Sequence, residues 1–499
     1  MSNLSDLIPA GGGQNNTDFV ADGAIASGKP VILTAAGKAA EVDESAVSET
    51  LGAPADANDV TAKGYGVDIC YDSGNDKLVT AWTRDSDIYP MVSVGTISGT
   101  TTTWGTSVVV TSGAADGQIA IEYSPDDEKV LVIYTLASDT YPYGAVGTVS
   151  GTSVSFGSPT AVTSVAAQKP KITYDTTNNQ FLVLTMQGSA ALLKVSIGTI
   201  SGTSVSFTGT ITVTSGGNAI PMGIAWDENA AAMGILYKNN SNYLYGRTGT
   251  SDGSTITLGT ETEIGTWNPY GVGGITYDST AQKCVGVWKN TSGYGAGAVI
   301  TLVGGSTRSF TDATEATFNS SNVGTGERSM SCAYATPAAD TTTVVFIESS
   351  DNYPRFCNGT VSGTSISFNT VARLWSDNAA NSRNDICSVV SGKVGIVANP
   401  QTTIGVLTDN ATTVNVLQNV ADVTNLTATN LLGIAAGAIL DTATGTINTW
   451  GSRNEVQSGL TIASDYYAQG DGTITTSSSG QLLGKALSAT QINIKDYTG

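Results

Sequence analysis

The sequence predicts an all-β protein built largely from one repeated unit, and three observations support this prediction. A six-residue motif of the form GTxSGT recurs at a nearly constant spacing, with copies that begin at residues 95, 147, 198 and 359 and a degenerate copy, GTSDGS, at 249–254. Short runs rich in Val, Ile, Thr and Tyr, which favour β-strands, are separated by turns whose Gly, Asn and Asp residues tolerate positive φ. No stretch has the pattern of a long amphipathic helix.

The spacing of the motif gives the size of the unit. Successive copies are 52, 51 and 51 residues apart, and the interval from 249 to 359 is about twice as long, which places a missing copy near residue 304. Each unit contains a short strand that ends in an aromatic residue, a polar turn, an apolar strand, a loop, a third strand that enters the motif, and a fourth strand. A seventh, degenerate unit runs from 385 to about 420. The aromatic residues that end the first strands are Tyr71, Tyr123, Tyr174, Trp226, Tyr277 and Tyr334.

Seven such units predict a seven-bladed β-propeller with four-stranded antiparallel blades over residues 64–420. Radial repetition of this kind leaves only short, protected sheet edges. A parallel β-helix is the alternative architecture, but its coils are usually about half this length. The hairpin-type turns inside each unit also favour antiparallel blades.

The two ends of the chain lie outside the repeat. Residues 1–19 are polar and Gly-rich and are predicted to form an N-terminal arm. Residues 20–43 are predicted to form a hairpin, and residues 44–63 a linker, because the latter are rich in Asp, Ala and Ser without any period. The tail, 421–499, is predicted to be a compact string of β-hairpins.

The tail carries a motif that resembles a known family. The segment GLTIASDYYAQGDGTITT…LLGKALSATQINIK (459–495) is similar to a small β-module of bacteriophage tail-fibre and other virion proteins, whose usual beginning resembles DGAIASGKPVILTAAGKAAEV (22–42). The resemblance implies that 20–43 and 426–499 fold together as one split virion-attachment domain, with the propeller inserted into it. It further implies partners among the other virion proteins, a homo-oligomeric state, and a place in the virion after assembly in the host bacterial cytoplasm.

Composition and charge exclude several classes of function. A net charge of −20 argues against binding to nucleic acid or to anionic membrane surfaces, since both require a basic patch. The absence of histidine excludes Ser–His–Asp, Cys–His and His–zinc chemistry. The five cysteines have no CxxC spacing and favour buried free thiols. The chain start lacks the features of a signal peptide, and the longest apolar run, 431–440, is too short for a bilayer span, so we expect no membrane insertion. The short acidic turns lack the EF-hand pattern and the Gly-rich stretches lack the lysine of a phosphate loop, so we expect no metal and no cofactor.

The clearest candidate binding residues are tyrosines that recur in the loop between the second and third strands. SDIYP, SDTYP and SDNYP begin at residues 86, 138 and 350, and two further units keep the tyrosine without the proline. One interpretation is a ring of flat faces that stack on a sugar receptor. The favoured interpretation is that each tyrosine packs between adjacent blades, because structural repetition alone produces such recurrence. The five candidates are Tyr89, Tyr141, Tyr243, Tyr294 and Tyr353.

Taken with the resemblance, these features favour a structural protein of a tailed phage whose propeller binds host-surface glycans as a tail fibre or receptor-binding component. A capsid decoration or head-fibre protein with a stabilising role is the alternative. A glycan hydrolase is less favoured, and we do not expect an enzyme, because no sialidase-type S-x-D-x-G-x-x-W box occurs. The acids that follow the aromatic residues recur in register, which is typical of turn caps: Asp72, Asp175, Asp227 and Asp278.

Overall fold

The computed structural model describes residues 15–47, 49–57, 62–84, 86–267, 272–325, 329–374, 383–399, 413–419, 421–427, 429–478 and 480–494. Over these residues the protein is all-β, as predicted, with antiparallel sheets and a single four-residue helix, α1 (Thr336–Ala339). Contacts divide the chain into two units, one of Met1–Val47 with Asp422–Gly499 and the other of Ser48–Ala421.

The strands follow one another along the chain in three groups. The N-terminal group is β1 (Asn16–Val20), β2 (Pro30–Leu33), β3 (Ala39–Glu41), β4 (Glu44–Val47), β5 (Thr50–Leu51) and β6 (Ala55–Asp56). The repeats contain β7 (Ala62–Asp72), β8 (Lys77–Arg84), β9 (Pro90–Ser98), β10 (Thr101–Trp104), β11 (Val108–Val109), β12 (Ala115–Ser124), β13 (Lys129–Leu136), β14 (Pro142–Ser150), β15 (Ser153–Phe156), β16 (Thr160–Ala161), β17 (Ala167–Asp175), β18 (Gln180–Gln187), β19 (Leu192–Ser201), β20 (Ser204–Thr212), β21 (Ile220–Asp227), β22 (Ala232–Lys238), β23 (Tyr243–Ser251), β24 (Ile256–Leu258), β25 (Thr262–Trp267), β26 (Gly273–Asp278), β27 (Lys283–Lys289), β28 (Tyr294–Val303), β29 (Ser309–Asp312), β30 (Ala316–Asn322), β31 (Met330–Tyr334), β32 (Thr342–Ile347), β33 (Pro354–Ser362), β34 (Ser365–Phe368), β35 (Ala372–Arg373), β36 (Arg383–Val389), β37 (Lys393–Asn399) and β38 (Thr413–Gln418). The C-terminal group is β39 (Ala421–Thr424), β40 (Leu431–Ala435), β41 (Thr444–Asn448), β42 (Arg453–Asn454), β43 (Asp465–Ala468), β44 (Ile474–Thr475), β45 (Gln481–Ala486) and β46 (Ile492–Ile494).

Consecutive antiparallel sheets, numbered here 1 to 7, form the unit of Ser48–Ala421. In sheets 1 to 6 the first four strands pair in chain order, starting at β7, β12, β17, β21, β26 and β31. Sheet 7 contains β36, β37 and β38. The first strand of each sheet contacts the first strand of the next, and β36 contacts β7. This is the strand arrangement of a β-propeller.

The second strands of the sheets are largely apolar and buried because both of their faces are covered. In β13 every residue from Val130 to Thr135 is buried, and the same holds for β22 from Ala232 to Lys238. One core cluster joins Val92 of sheet 1 to Val132 of sheet 2, so that neighbouring sheets share their apolar side chains. The continuous apolar runs in the sequence are therefore strands buried between two neighbours.

Two short strands from before the first sheet complete sheet 7. Thr50 and Leu51 of β5 pair with Gln418 and Leu417 of β38, and β6 pairs with the other end of β38. Both strands lie in the stretch 44–63 that the sequence predicts to be a linker. A core cluster also contains Trp82 of sheet 1 together with residues of sheet 7. The two ends of the repeat array are thus held together by paired strands and by a shared core.

The two glycines of the repeated motif have different structural roles. In the copy at 147–152, a Cβ on Gly147 would lie 2.9 Å from the ring of Phe156, so the glycine makes room for the aromatic side chain of the fourth strand. Gly151 has φ of 61° and occupies the left-handed position of the hairpin turn, which favours glycine. Gly305, near the predicted missing copy, has the same φ of 61°.

The recurring aromatic and acidic residues stabilise the turns and connect the sheets. The buried Asp175 carboxylate accepts hydrogen bonds from the amides of Thr177 and Asn178 at 2.9 and 3.1 Å, which is a turn-capping role. The preceding Tyr174 donates its hydroxyl to Asp126, in the turn of sheet 2, at 2.7 Å. Tyr174 therefore ties sheet 3 to the turn of sheet 2, and Tyr123 likewise accepts from the amide of Gly74 in the turn of sheet 1.

The terminal unit contains two five-stranded sheets. In the first, with the order β1–β41–β40–β2–β3, two strands from the C-terminal end of the chain lie between strands from the N-terminal end. The second has the order β42–β46–β45–β43–β44, and β4 pairs with β39 separately. A shared core contains Ile32, Ile434, Tyr466 and Leu483. Of the predicted arm, residues 1–14 lie outside the described residues, and Asn16–Val20 forms β1, paired with β41.

Candidate functional site

The five candidate tyrosines occupy equivalent places in five sheets. Each lies at the loop between the second and third strands, immediately before the third strand or as its first residue. In the three SDxYP loops an aspartate accepts a hydrogen bond from the tyrosine amide two residues later. The pairs are Asp87–Tyr89 at 3.1 Å, Asp139–Tyr141 at 2.9 Å and Asp351–Tyr353 at 3.1 Å. The loop is thus fixed by a side chain of its own sequence.

The residue between the aspartate and the tyrosine has positive φ in all three loops. The φ angles are 61° at Ile88, 61° at Thr140 and 59° at Asn352. For the β-branched Ile88 and Thr140 this region is unusual and is associated with strain of roughly 1–3 kcal/mol. The surrounding hydrogen bonds therefore hold the loop in one conformation against a local preference.

The two loops without proline use an asparagine for the same purpose. Asn239 Oδ1 accepts a hydrogen bond from the amide of Tyr243 at 3.0 Å, and Asn290 Oδ1 does so from the amide of Tyr294 at 3.0 Å. The side chain that fixes the loop has changed, but the tyrosine keeps its position.

The surroundings of the tyrosine rings differ. Tyr89 packs against the core cluster shared by sheets 1 and 7, and the guanidinium of Arg84 lies 5.3 Å from its ring centroid. The guanidinium of Arg373 lies 3.9 Å from the ring centroid of Tyr353. Tyr141 and Tyr294 are half-buried, and Tyr243 is 38% exposed. The tyrosine loops therefore present rings with different degrees of access to solvent.

A second candidate site is a cavity of about 440 Å³ that is lined by the first strands of sheets 1 to 7. Its lining includes four acidic residues, Asp68, Glu122, Glu228 and Asp385, and one basic residue, Lys171. Because the first strands are sheet edges, their outward amides have no partner strand. The acids supply partners: Asp68 accepts from its neighbour Ile69 at 2.8 Å and from Ile121 of the next sheet at 3.1 Å.

Burial changes the protonation of groups in this cavity. It raises the pKa of the Glu122 carboxyl to about 7, against the effect of a hydrogen bond from the Tyr123 amide, and the nearby Asp385 carboxylate raises it further. Burial also raises the pKa of the Cys70 and Cys332 thiols well above the usual range. The two thiols are thus protonated at neutral pH and are poor nucleophiles.

Sequence reasoning did not identify this cavity. A weak signal is present, since Asp68 and Lys171 each stand three residues before the aromatic residue of their unit and Asp385 begins the degenerate seventh unit. Most units have a small or uncharged residue there, so the position does not appear as a motif. Among the described residues, no cluster of three or more acidic or thiol side chains is arranged to hold a metal ion. Within the described ranges, no helix is long and apolar enough to cross a bilayer.

The chain has distant structural likenesses but no sequence match. No protein-family model and no curated protein matches it. Among solved structures, a protein from Lactobacillus plantarum is 9% identical, with a TM-score of 0.46 over 63% of this chain and 86% of that one. The periplasmic gluconolactonase PpgL of Pseudomonas aeruginosa is 8% identical, with a TM-score of 0.45 over 61% of this chain and 84% of that one. The SapL1 lectin, solved with alpha methyl fucoside, is 13% identical, with a TM-score of 0.39 over 61% of this chain and 97% of that one. At these values the likenesses do not extend to function.

Proposed function

We propose that this chain is a structural virion protein of a tailed bacteriophage and that it binds host-surface glycans as a tail-fibre or receptor-binding component. In this proposal sheets 1 to 7 are the blades of a closed seven-bladed propeller, and the terminal unit is the split domain that attaches the protein to other virion proteins. The contact of β36 with β7 and the pairing of β5 with β38 support the closed ring. The sheet that combines strands from both chain ends supports the split domain.

The repetition of one fixed tyrosine loop in five sheets is the observation that carries the binding role. Each loop is held by an Asp or Asn side chain before any ligand arrives, so little ordering entropy is lost on binding. Aromatic faces stack on the apolar faces of sugars, and several weak contacts on one particle add up to stable attachment. Tyr243 is the best candidate, because it is exposed whereas the other four are half-buried, and Tyr141 represents the SDxYP loops in the test.

The test is a glycan array probed with the full-length chain and with the double variant Tyr141→Ala/Tyr243→Ala. We expect the wild type to bind a defined set of bacterial surface glycans and the double variant to lose at least about tenfold in apparent affinity, since stacking contacts are worth about 1.4 kcal/mol or more together. Tyr467→Ala, a half-buried tyrosine of the terminal unit, is the matched control and is expected to bind like the wild type. Failure of the wild type to bind any glycan, or equal binding by the double variant, would contradict the receptor role.

A capsid decoration or head-fibre role is the second candidate, and the rings of Tyr89 and Tyr353 favour it. Both rings are already engaged within the molecule, one by a core cluster and one by Arg373. A purely stabilising protein would show no glycan binding, and its removal would lower the temperature at which the particle releases its genome. Particle stability measured with and without the protein therefore separates the two roles.

A further inference from the structure

Neighbouring sheets are closely packed at their outer edges. After the fourth strand of sheet 2, a Cβ added to Gly157 would overlap the carbonyl oxygen of Thr203, in the motif turn of sheet 3. The same relation holds between sheets 1 and 2, between sheets 4 and 5, and between sheets 7 and 1. At these seams the motif turn of one sheet fills the space beside the glycine of the sheet before it. The other pairs are Gly105 with Thr152, Gly259 with Arg308, and Gly52 with Thr100.

The seam between sheets 6 and 7 is built differently. Sheet 7 has no such turn between its third and fourth strands, because its fourth strand is β5, from the N-terminal side of the chain. The residue that follows the fourth strand of sheet 6 is Asn369, where sheets 1, 2 and 4 have glycine. A cavity of about 330 Å³ lies here, which is within the size range of small-ligand sites. We call it the seam pocket.

The seam pocket is lined mainly by neutral hydrogen-bonding side chains. Asn358 is at its centre: its side-chain amide donates to Glu49 at 2.8 Å, and its backbone amide donates to Asn369 at 2.8 Å. Phe368 also lines the pocket, but its ring packs toward sheet 5, 5.1 Å from the ring of Phe318. The described lining contains no lysine or arginine, and its full set is Glu49, Thr341, Asn358, Thr360, Ser367, Phe368, Asn369 and Asn419.

Two of the lining groups have unused hydrogen-bonding capacity. Asn419 is fully buried and donates its side-chain amide to Thr343 at 3.1 Å, but its Oδ1 accepts no hydrogen bond from the described residues. The buried Oγ1 of Thr341 is likewise unpaired within the described part of the chain. An unsatisfied buried polar atom costs roughly 1–3 kcal/mol. A ligand or water that donates to Asn419 and exchanges a hydrogen bond with Thr341 would remove this cost.

We propose that the seam pocket is a binding site for one neutral sugar residue. Hydroxyl groups both donate and accept hydrogen bonds, which suits a lining of amides, hydroxyls and one carboxylate. The lack of a cationic residue in the described lining, together with Glu49, disfavours phosphorylated and sialylated ligands. The seam pocket would be an additional glycan-binding site, and the choice of a sugar as its ligand rests on the proposed function. It is separate from the tyrosine loops, and each can fail alone.

The experiment is a calorimetric titration of the full-length chain with glucose, galactose, mannose and N-acetylglucosamine, followed by thermal unfolding at saturation. We expect at least one of these sugars to bind saturably at one site per chain and to raise the Tm. Thr360→Trp, which places a large side chain at the exposed edge of the pocket, is expected to weaken that binding at least tenfold and to abolish the rise in Tm. Its matched control is Thr199→Trp, at the equivalent exposed position of sheet 3, which should leave binding unchanged.

A second pair of variants covers the case in which Thr360→Trp fails to fold. Ser367→Trp is expected to weaken binding in the same way, and Ser155→Trp, equivalent in sheet 2, is its control. N-acetylneuraminic acid is expected not to bind. Absence of saturable binding for all four neutral sugars, or unchanged affinity in the folded Thr360→Trp or Ser367→Trp variant, would overturn the seam site. If the tyrosine double variant loses array binding and no sugar binds in the titration, the seam site is overturned and the proposed function stands. If a sugar binds in the titration but the wild type binds nothing on the array, the proposed function is overturned and the seam site stands.

Discussion

At the scale of single residues, the acids of this protein serve mainly as hydrogen-bond acceptors for backbone amides. Asp175 caps a turn, Asp139 fixes a tyrosine loop, and Asp68 pairs with the free edge of a first strand. Each of these side chains accepts hydrogen bonds from nearby amides, and this role accounts for acids that recur in register. Glu122 differs from them, because its carboxyl is enclosed near other carboxylates.

The raised pKa of Glu122 predicts a particular dependence of stability on pH. Its folded-state pKa of about 7 lies above the value of 4.5 typical of an exposed glutamate, so the folded protein binds the proton more tightly than the unfolded chain does. The contribution of Glu122 to the free energy of unfolding is therefore full below about pH 4.5 and is lost as the pH rises through 7. We expect Glu122→Gln to remove this loss and to be more stable than the wild type at pH 8, by on the order of 1–3 kcal/mol.

The measurement is the free energy of unfolding from urea titrations at pH 5 and pH 8. Glutamine keeps the carbonyl oxygen that accepts the Tyr123 amide, so the hydrogen bond is preserved in the variant. Glu128→Gln, at an exposed turn of the same sheet, is the control and should follow the wild-type pH dependence. Parallel pH dependence of the wild type and Glu122→Gln would show that the carboxyl is not perturbed in the folded state.

At the scale of elements, the repeated motif serves two neighbouring sheets at once. Its last glycine forms the hairpin turn, and the carbonyl that follows the turn packs against a glycine of the sheet before it. At these outer edges neighbouring sheets meet through backbone contact, whereas elsewhere they share apolar side chains. This accounts for a motif made almost entirely of Gly, Ser and Thr.

Two glycines of sheet 2 are expected to differ sharply in their tolerance of alanine. At Gly157 a methyl group would overlap the Thr203 carbonyl, so Gly157→Ala must move one sheet relative to the next and should cost more than about 2 kcal/mol. At Gly151, no atom lies within 4 Å of an added Cβ, and only the φ of 61° opposes the change. Gly151→Ala should therefore cost roughly 1–2 kcal/mol.

Chemical unfolding of the two variants tests this ranking. A cost for Gly157→Ala equal to or smaller than that for Gly151→Ala would mean that the seams are not closely packed. The seam pocket could then not be explained by the missing motif turn at the junction of sheets 6 and 7.

Much of the fold can be predicted from the sequence, because the repeat makes one signal visible many times. The all-β class, the order of strands within each unit and the positions of the hairpin turns all follow from a motif and an aromatic residue that recur about every 51 residues. The strands β5 and β6 could not be predicted, since each has only two residues and neither shows apolar alternation. Their strand conformation depends on pairing with β38, which is more than 350 residues away in the chain.

The candidate sites could be predicted only in part. The tyrosine loops were visible because five units share them, and the roles of Asp87, Asp139 and Asp351 follow from the same short motif. The seam pocket leaves no repeated signal, because it lies where the repeat is interrupted. Glu49 and Asn419 are far apart in sequence and meet there only because the N-terminal segment completes sheet 7.

At the scale of the whole molecule, both proposed binding sites depend on the closure of the ring of sheets. The tyrosine loops act together only if their sheets hold a fixed arrangement, and the seam pocket exists only if the N-terminal segment joins sheet 7. That junction consists of the β5–β38 and β6–β38 pairs and of a shared core with sheet 1. Closure of the ring therefore depends on these few strand pairs and on this core.

The most direct test of this closure is a cross-link between its two partners. Thr50 and Gln418 are paired across β5 and β38, so a Thr50→Cys/Gln418→Cys variant places two thiols at cross-strand distance. The native cysteines of the described chain are free, and four of the five are buried, so they compete little. After mild oxidation of the folded protein, we predict an almost quantitative disulfide between positions 50 and 418 by peptide mass spectrometry, with none in a Thr50→Cys/Ser150→Cys control. An absent 50–418 cross-link in the folded variant, or equal cross-linking in the control, would contradict the closed ring.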